Sequence, residues 1–185
     1  MITCEGIISY PSIFKPTPNQ SGVLKYSCSL LVDKKDVKGV EALKDAIAKA
    51  VEKGRTSYAP WKGKVPNFRY QSLRDGDAEL ASGDKEDKIY AGKVFINTSM
   101  DAGKNPQGPG VVDKHGKPLM DQGDLYAGCI VRLDVNAFPY TNSGNNGVGW
   151  GLNNIMVVRD GERLDGRSKA EDAFASFAQT DSTLE

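Results

Sequence analysis

Apolar and polar residues alternate over several short stretches of the chain, which is the pattern of half-buried β-strands. In residues 23–33, for example, every second residue is apolar and the residues between are mostly serine or lysine. The other stretches with strand character are residues 1–10, 89–99, 128–140 and 147–164, and residues 111–119 read as a short hairpin. The pattern therefore predicts about five substantial strands.

One segment has helical spacing instead. Over residues 36–54 apolar residues recur every three or four positions, at Val37, Val40, Leu43, Ile47 and Val51. This spacing places them on one face of an amphipathic helix. Asp36 is a suitable N-cap and Gly54 a suitable C-terminal stop, so one helix is expected after the second strand.

The segments between these elements are long. Residues 11–22 contain three prolines and are expected to form a loop, and residues 55–77 are irregular and rich in aromatic and basic residues. Mainly β structure with one helix is consistent with a small barrel or a sandwich, and the pattern alone does not distinguish them. We expect one domain over residues 1–167 and a mildly acidic, flexible C-terminal tail over residues 168–185.

Charge is distributed unevenly, although the formal net charge is zero. Residues 1–74 contain 13 Lys and Arg against 6 Asp and Glu, and residues 75–185 contain 11 against 18. Such asymmetry is typical of a nucleic-acid surface combined with an acidic tail. The alternative is that the two halves interleave in space, so that their charges mix.

The cysteine content and the N-terminus indicate the cellular compartment in which the protein is expected to fold. Cys4, Cys28 and Cys129 are an odd number at wide spacing, and Cys28 and Cys129 lie in apolar strand-like stretches, so these two are expected to be small buried residues. This cysteine usage favours a reducing, intracellular protein. No apolar stretch approaches the roughly 18 residues of a membrane span. The N-terminus lacks the pattern of a signal peptide.

Candidate catalytic residues are sparse. His115 is the single histidine and lies in a probable turn, so no zinc ligand set is apparent. No Ser/His or Cys/His arrangement and no phosphate-binding loop is found. Aspartates are plentiful, mostly beside glycines in turns, which leaves a metal-dependent nuclease as an alternative. We expect a protein that is not an enzyme and needs no metal or cofactor.

Aromatic residues stand beside basic ones in several of the predicted loops. A single strand of nucleic acid presents exposed bases and a negative backbone, and aromatic faces with nearby cations bind both. The residues expected to bind DNA are Tyr140, Trp150, Trp61, Tyr70, Phe68, Arg69, Lys62, Lys64, Arg74, Phe14, Lys15, Lys25 and Arg132.

Each aromatic residue also has a structural interpretation. Tyr26, Phe95 and Phe138 lie within apolar strands, which favours the core. Trp150 alternates with apolar neighbours and fits a buried or a stacking role equally well. Tyr140 lies outside the apolar run, which favours exposure.

Six stretches, in matching order, resemble the single-stranded DNA-binding proteins of tailed bacteriophages. They are "KYSCSLLVDKKD" with the helix after it, "SLRDGD", "YAGKVFINTS", "VVDKHGKPL", "DLYAGCIVRLDVNAFPY" and "NNGVGWGLNNIMVVRDGERLDGR". The resemblance covers about residues 5–167, and its last stretch is the most specific. It implies an OB-fold: a five-stranded, mainly β barrel, here with one amphipathic helix after the second strand and long loops.

The resemblance also implies a function. Family members bind single strands without sequence preference or catalysis, in phage DNA replication and recombination in the host cytoplasm. Related phage proteins use an acidic tail that contacts partner enzymes and competes with DNA. Weaker duplex binding, replication or recombination partners at the tail, and a homodimer are further expectations; no membrane partner is expected. The alternatives are the Asp-based nuclease and a protein-interaction module without nucleic acid.

Overall fold

The structure is a computed structural model that describes residues 1–166 and 174–177. Most of the predicted tail, residues 168–185, lies outside the described residues. The described elements are β1 (Ile2–Pro18), β2 (Leu24–Asp33), α1 (Val37–Ser57), β3 (Arg74–Asp75), α2 (Gly76–Ser82), β4 (Lys93–Asp101), β5 (Gly110–Val112), β6 (Ile130–Asn142) and β7 (Asn145–Arg159). Four short 3-10 helices accompany them, at Ala59–Trp61, Lys88–Tyr90, Gln122–Asp124 and Ala175–Phe177.

Five of the strands close into a barrel. β1 pairs antiparallel with both β2 and β6, β2 pairs with β4, and β6 pairs with β7. A short parallel contact between β4 and β7, at Thr98–Trp150 and Ser99–Gly151, closes the ring. This closure selects the barrel over the sandwich and confirms the OB-like fold class.

Helix α1 follows β2, as predicted. The side chain of Asp36 accepts a hydrogen bond from the Gly39 amide at 3.0 Å and caps its first turn. Leu43 is fully buried, and Val40 and Ile47 pack against the barrel core. The predicted C-terminal stop at Gly54 is wrong, since the helix continues to Ser57. Gly54 is buried under the Trp61 ring, which takes the space that a side chain would occupy.

Two local predictions were wrong. Residues 11–18 are not a loop but the second half of β1, which tolerates its prolines because the β1–β2 register shifts between Ser9 and Ser12 and again between Ser12 and Thr17. Helix α2, at Gly76–Ser82, was not predicted. It begins where the Asp75 side chain accepts hydrogen bonds from the amides of Asp77 and Ala78.

The barrel interior is filled by the alternating apolar residues of its strands. Tyr26 and Phe95 are buried, as predicted; Phe95 lies on the outer side of β4, in a small second cluster with Leu31 and Tyr90. Among the described helices, none is long and apolar enough to cross a membrane.

All three cysteines are free and buried, which confirms the predicted burial of Cys28 and Cys129. Burial raises the pKa of Cys4 to about 11 and that of Cys28 to about 12, and it also raises the pKa of Cys129. Thiolate, the form that reacts with thiol reagents, is therefore scarce at neutral pH.

We expect a chromogenic disulfide reagent at pH 7.5 to label the native protein slowly. The same reagent should label all three thiols at once when the protein is unfolded in guanidinium. Fast labelling of one thiol in the native protein would contradict the burial of that cysteine.

Candidate nucleic-acid interface

The hairpin of β6 and β7 extends past the barrel on long strands. The predicted strands 128–140 and 147–164 leave a connection of residues 141–146, but the structure has a two-residue turn, Ser143–Gly144, because β6 continues to Asn142 and β7 begins at Asn145. Both turn residues have positive φ, 49° and 80°, as a tight hairpin turn of this type requires.

Two aromatic rings lie on the outer side of this hairpin. Phe138 stands opposite Gly149, and Tyr140 stands opposite Gly147. A methyl group added at Gly149 would lie 3.0 Å from the ring of Phe138, and one at Gly147 would lie 2.9 Å from the ring of Tyr140. The glycines therefore give each ring a flat backbone to lie on.

The exposure of these two rings differs from expectation. Phe138 is 40% exposed, so its predicted core position is wrong: it points away from the barrel, and its cross-strand neighbour has no side chain to cover it. Tyr140 was expected to be exposed and is half-buried, because its ring rests on Gly147.

The two tryptophans expected to contact DNA are part of the core. Trp150 is 3% exposed, and its indole N–H donates to the carbonyl of Ser72 at 2.9 Å. Trp61 is 4% exposed and packs with Ala50 and Val148. Neither ring has a free face on which a base could stack. For Trp150 the structure selects the core alternative, and for Trp61 it corrects the predicted placement.

The irregular segment after α1 runs beside the hairpin. The Thr141 amide donates to the hydroxyl of Tyr58 at 3.1 Å, and the indole of Trp61 donates to the carbonyl of Tyr140 at 3.4 Å. Further along, Phe68 forms a parallel bridge with Asn146 and its ring lies 5.4 Å from that of Trp61. Two regions singled out in the sequence are thus brought together.

Beyond Phe68, two residues of this segment remain on the surface. Arg69 donates to the side-chain oxygen of Asn145 at 3.3 Å, and its guanidinium carbon lies 5.3 Å from the centre of the Tyr70 ring. Tyr70 is 60% exposed. We refer to Arg69, Tyr70, Phe138 and Tyr140 together as the hairpin surface.

Charge pairing separates the basic candidates into two groups. Among the described residues, no carboxylate lies within salt-bridge distance of Lys62, Lys64 or Arg69. Lys62 and Lys64 are exposed and follow directly after Trp61. These cations are available to an anionic ligand.

Arg74 and Arg132 belong to the other group. Arg74 forms a salt bridge with Glu79 and lies over the ring of Phe95 at 4.9 Å. Arg132 pairs with Glu5 at 2.7 Å, in the part of β6 most distant from the turn. Since both guanidinium groups already have a carboxylate, the structure does not present them as free cations beside the hairpin surface.

Phe14, Lys15 and Lys25 lie on β1 and β2 instead of on the hairpin. Phe14 and Lys15 are exposed, and Lys25 is half-buried in register with Asp101 of β4. Within residues 1–166, no hydrogen bond, salt bridge or ring contact joins these three residues to the hairpin surface.

A strip of short polar side chains crosses the outer face of the barrel. Because Cys28 and Thr98 point inward, their neighbours on β2 and β4 point outward, and Ser29 donates to the Asn97 side chain at 2.7 Å. We call this set the polar strip: Ser27, Ser29, Asn97 and Ser99. Ser99 is in register with Gly151, so the strip continues onto β7 towards Gly149.

Neither the polar strip nor Phe138 was among the residues that the sequence predicted to bind DNA. The strip could have been found from strand alternation, because its serines occupy the positions between buried residues. OB-folds bind oligonucleotides on the face of their second and third barrel strands, which are β2 and β4 here. Within the described residues, no three His, Cys, Asp or Glu side chains converge on a metal position.

Comparison with known proteins shows similarity to single-stranded DNA-binding proteins of bacteriophages. The family model described as Enterobacter phage Enc34, ssDNA-binding protein, matches residues 1–184. The structure of the single-stranded DNA-binding protein from bacteriophage Enc34 in complex with ssDNA has a TM-score of 0.69 at 18% identity, over 87% of this chain and 86% of that chain.

A second similar structure is gp2.5, a single-stranded DNA-binding protein encoded by bacteriophage T7. Its TM-score is 0.65 at 18% identity, over 100% of this chain and 97% of that chain. Identities this low support a common fold. No curated protein sequence matches the chain.

Proposed function

Because the chain belongs to the family of the Enterobacter phage Enc34 single-stranded DNA-binding protein, we propose that it binds single-stranded DNA without catalysis. The family match confirms the resemblance predicted from the sequence. The observation that carries the proposal is the convergence, on and beside the β6–β7 hairpin and next to the polar strip, of exposed aromatic rings and of cations that have no salt bridge within the described residues. This convergence matches the needs of a ligand that presents flat bases on an anionic backbone.

Each part of the surface has a distinct role in the proposed complex. Bases stack on Phe138, Tyr140 and Tyr70, whose π-faces accept any base and so give no sequence preference. Phosphates contact Lys62, Lys64 and Arg69, which all lie in the irregular segment that follows α1. The polar strip offers hydroxyl and amide groups to the strand as it crosses β4 and β2.

The biological role, the further partners and the domain division are also proposals. Membership of a phage family supports a role in phage DNA replication inside the host cytoplasm. Recombination, weaker duplex binding, a homodimer and contacts of the tail with replication proteins remain predictions, as do contacts of DNA with Phe14, Lys15 and Lys25. The division into a DNA-binding domain, residues 1–167, and a tail, residues 168–185, is likewise a proposal.

Binding to oligo-dT is expected to weaken as the salt concentration rises. Each phosphate neutralised on a single strand contributes about −0.7 to the slope of log K against log salt, so the three cations beside the hairpin, Lys62, Lys64 and Arg69, predict a slope near −2. Fluorescence anisotropy of a labelled oligo-dT measures this directly. Because both tryptophans are buried, anisotropy is a better readout than tryptophan quenching.

A matched pair of double variants tests whether Lys62 and Lys64 contact DNA phosphates. Lys62→Gln with Lys64→Gln should reduce the magnitude of the slope by about 1.4. Lys114→Gln with Lys117→Gln removes the same charge from an exposed turn after β5, which pairs with the opposite end of β7, and should leave the slope unchanged. Equal slopes for the two double variants would contradict the assignment.

The same titration distinguishes the other classes of function. Oligo-dT that stays intact with magnesium, and binds equally well in EDTA, supports a non-catalytic protein. Degradation that requires magnesium would favour the nuclease. The absence of binding at low salt would favour an interaction module without nucleic acid.

A further inference from the structure

Tyr10 has an unusual backbone conformation for an exposed aromatic residue. It lies at the irregularity in β1 between Ser9 and Ser12, and its φ is +47°, in the left-handed region that favours glycine. Its side chain is nevertheless 68% exposed. A strained backbone at a residue that contributes little to the core indicates that the side chain has a use on the surface.

A lysine lies beside the Tyr10 ring. The Lys85 ammonium lies 5.6 Å from the centre of the Tyr10 ring, 4.9 Å from that of Tyr90 and 5.6 Å from that of Phe95. A cation within about 6 Å of an aromatic ring is attracted to its face. The Tyr90 and Phe95 rings are buried, so the lysine holds the exposed ring of Tyr10 against the barrel's outer face.

Two of the three acidic residues around Lys85 in the sequence make other contacts. Asp84 accepts a hydrogen bond from the hydroxyl of Ser82 at 2.6 Å, and Asp87 accepts one from the Ile89 amide at 3.0 Å. In the described part of the chain, no carboxylate forms a salt bridge with Lys85. The lysine is therefore free to hold the tyrosine ring.

Tyr10 lies at one end of the polar strip. Ser9 and Ser12, on either side of the irregularity, are in register with Ser29 and Ser27 of the strip. The strip continues through β4 to the glycines of β7, beside which Phe138 stands. Four strand spacings of about 4.8 Å separate β1 from β6 by this route, which gives a path of roughly 19 Å.

We propose that Tyr10 forms a second base-stacking site, at the opposite end of the polar strip from the hairpin surface, and that one DNA strand spans both ends. This inference rests on the proposed function and extends it, because it defines the path of the DNA strand across the barrel. The strand runs across β1, β2, β4 and β7 and contacts aromatic rings at its two ends.

The test compares Tyr10→Gly with the unmodified full chain on labelled oligo-dT of increasing length. Oligonucleotides too short to span the strip should bind both proteins equally. Longer ones should bind Tyr10→Gly about fivefold or more weakly, which is the loss of one stacked base. Glycine relaxes at φ +47°, which offsets its greater freedom in the unfolded chain, so the unfolding temperature should change by only a few degrees.

Two further variants separate the effect of the ring from that of the hydroxyl and from a failure to fold. Tyr10→Phe retains the ring and should bind as the unmodified chain does. Tyr10→Asn tolerates the left-handed conformation and removes the ring, so it replaces the glycine variant if that one does not fold.

The results separate the inference from the proposed function. If Tyr10→Gly and Tyr10→Asn bind every length as the unmodified chain does, Tyr10 does not stack, while the proposed function stands. A loss of affinity in Tyr10→Phe equal to that in Tyr10→Gly would assign the effect to the hydroxyl and overturn stacking. If the unmodified chain binds no oligo-dT at all, the proposed function fails, and the inference fails with it.

Discussion

Replacing both Phe138 and Tyr140 with alanine is expected to lower the affinity for oligo-dT by about 30-fold or more. One stacked base contributes roughly 1–3 kcal/mol, so the loss of two rings corresponds to at least about 2 kcal/mol. Both rings lie on the outer side of the hairpin over glycines. Their removal should therefore change the barrel core little, and anisotropy titration at constant salt measures the effect.

Conservative changes at the same positions are the control. Phe138→Tyr and Tyr140→Phe keep a flat ring over each glycine, so the double variant that combines them should keep most of the affinity. The salt slope should stay the same in the alanine variant, since no cation has been removed. An alanine variant with normal affinity would show that the bases stack elsewhere.

The overall fold could be predicted because its signals are local. Alternation in β2 and β7 and helical spacing in α1 are each set by which side of one element faces the core. The same alternation correctly placed Tyr26 and Phe95 in buried positions. The short parallel contact at Thr98 and Ser99 that closes the barrel joins distant parts of the chain. No local pattern reports such a contact.

The exposure of the aromatic residues could not be predicted in the same way. Trp61 follows the helix in a segment of mixed character, and only the folded chain places it between Ala50 and Val148. Phe138 shows the converse case: it is out of phase with the inward-facing Val135 and Ala137, and the glycine opposite it on β7 leaves its ring exposed. In both cases the deciding residue is far away in sequence or on another strand.

A basic residue that follows an aromatic one in the sequence is not always free to bind DNA, for a related reason. Arg69 stays available, whereas Arg74, five residues further on, forms a salt bridge with Glu79. Arg132 likewise meets Glu5, a residue that lies 127 positions earlier in the chain. Which cations remain free depends on acidic partners that the folded barrel brings near.

The second large effect concerns stability. Trp150→Ala is expected to lower the free energy of unfolding by about 3–5 kcal/mol, as removal of a large buried side chain does. The Trp150 ring belongs to the main core cluster, and its loss also leaves the Ser72 carbonyl without its indole donor. Urea denaturation followed by circular dichroism measures the change.

Trp150→Phe and a DNA titration complete this test. Phenylalanine retains most of the buried ring, so its stability should fall between those of the alanine variant and the unmodified protein. Under conditions where Trp150→Ala is fully folded, its affinity for oligo-dT should stay within about twofold of normal, because a buried ring loses no stacked base. A variant that unfolds normally but binds DNA about tenfold more weakly would place the Trp150 ring in the interface. Exposure of that ring would require Ser72 and its neighbours to move away from β7, since the Ser72 hydroxyl and carbonyl contact β7 at Val148 and Trp150.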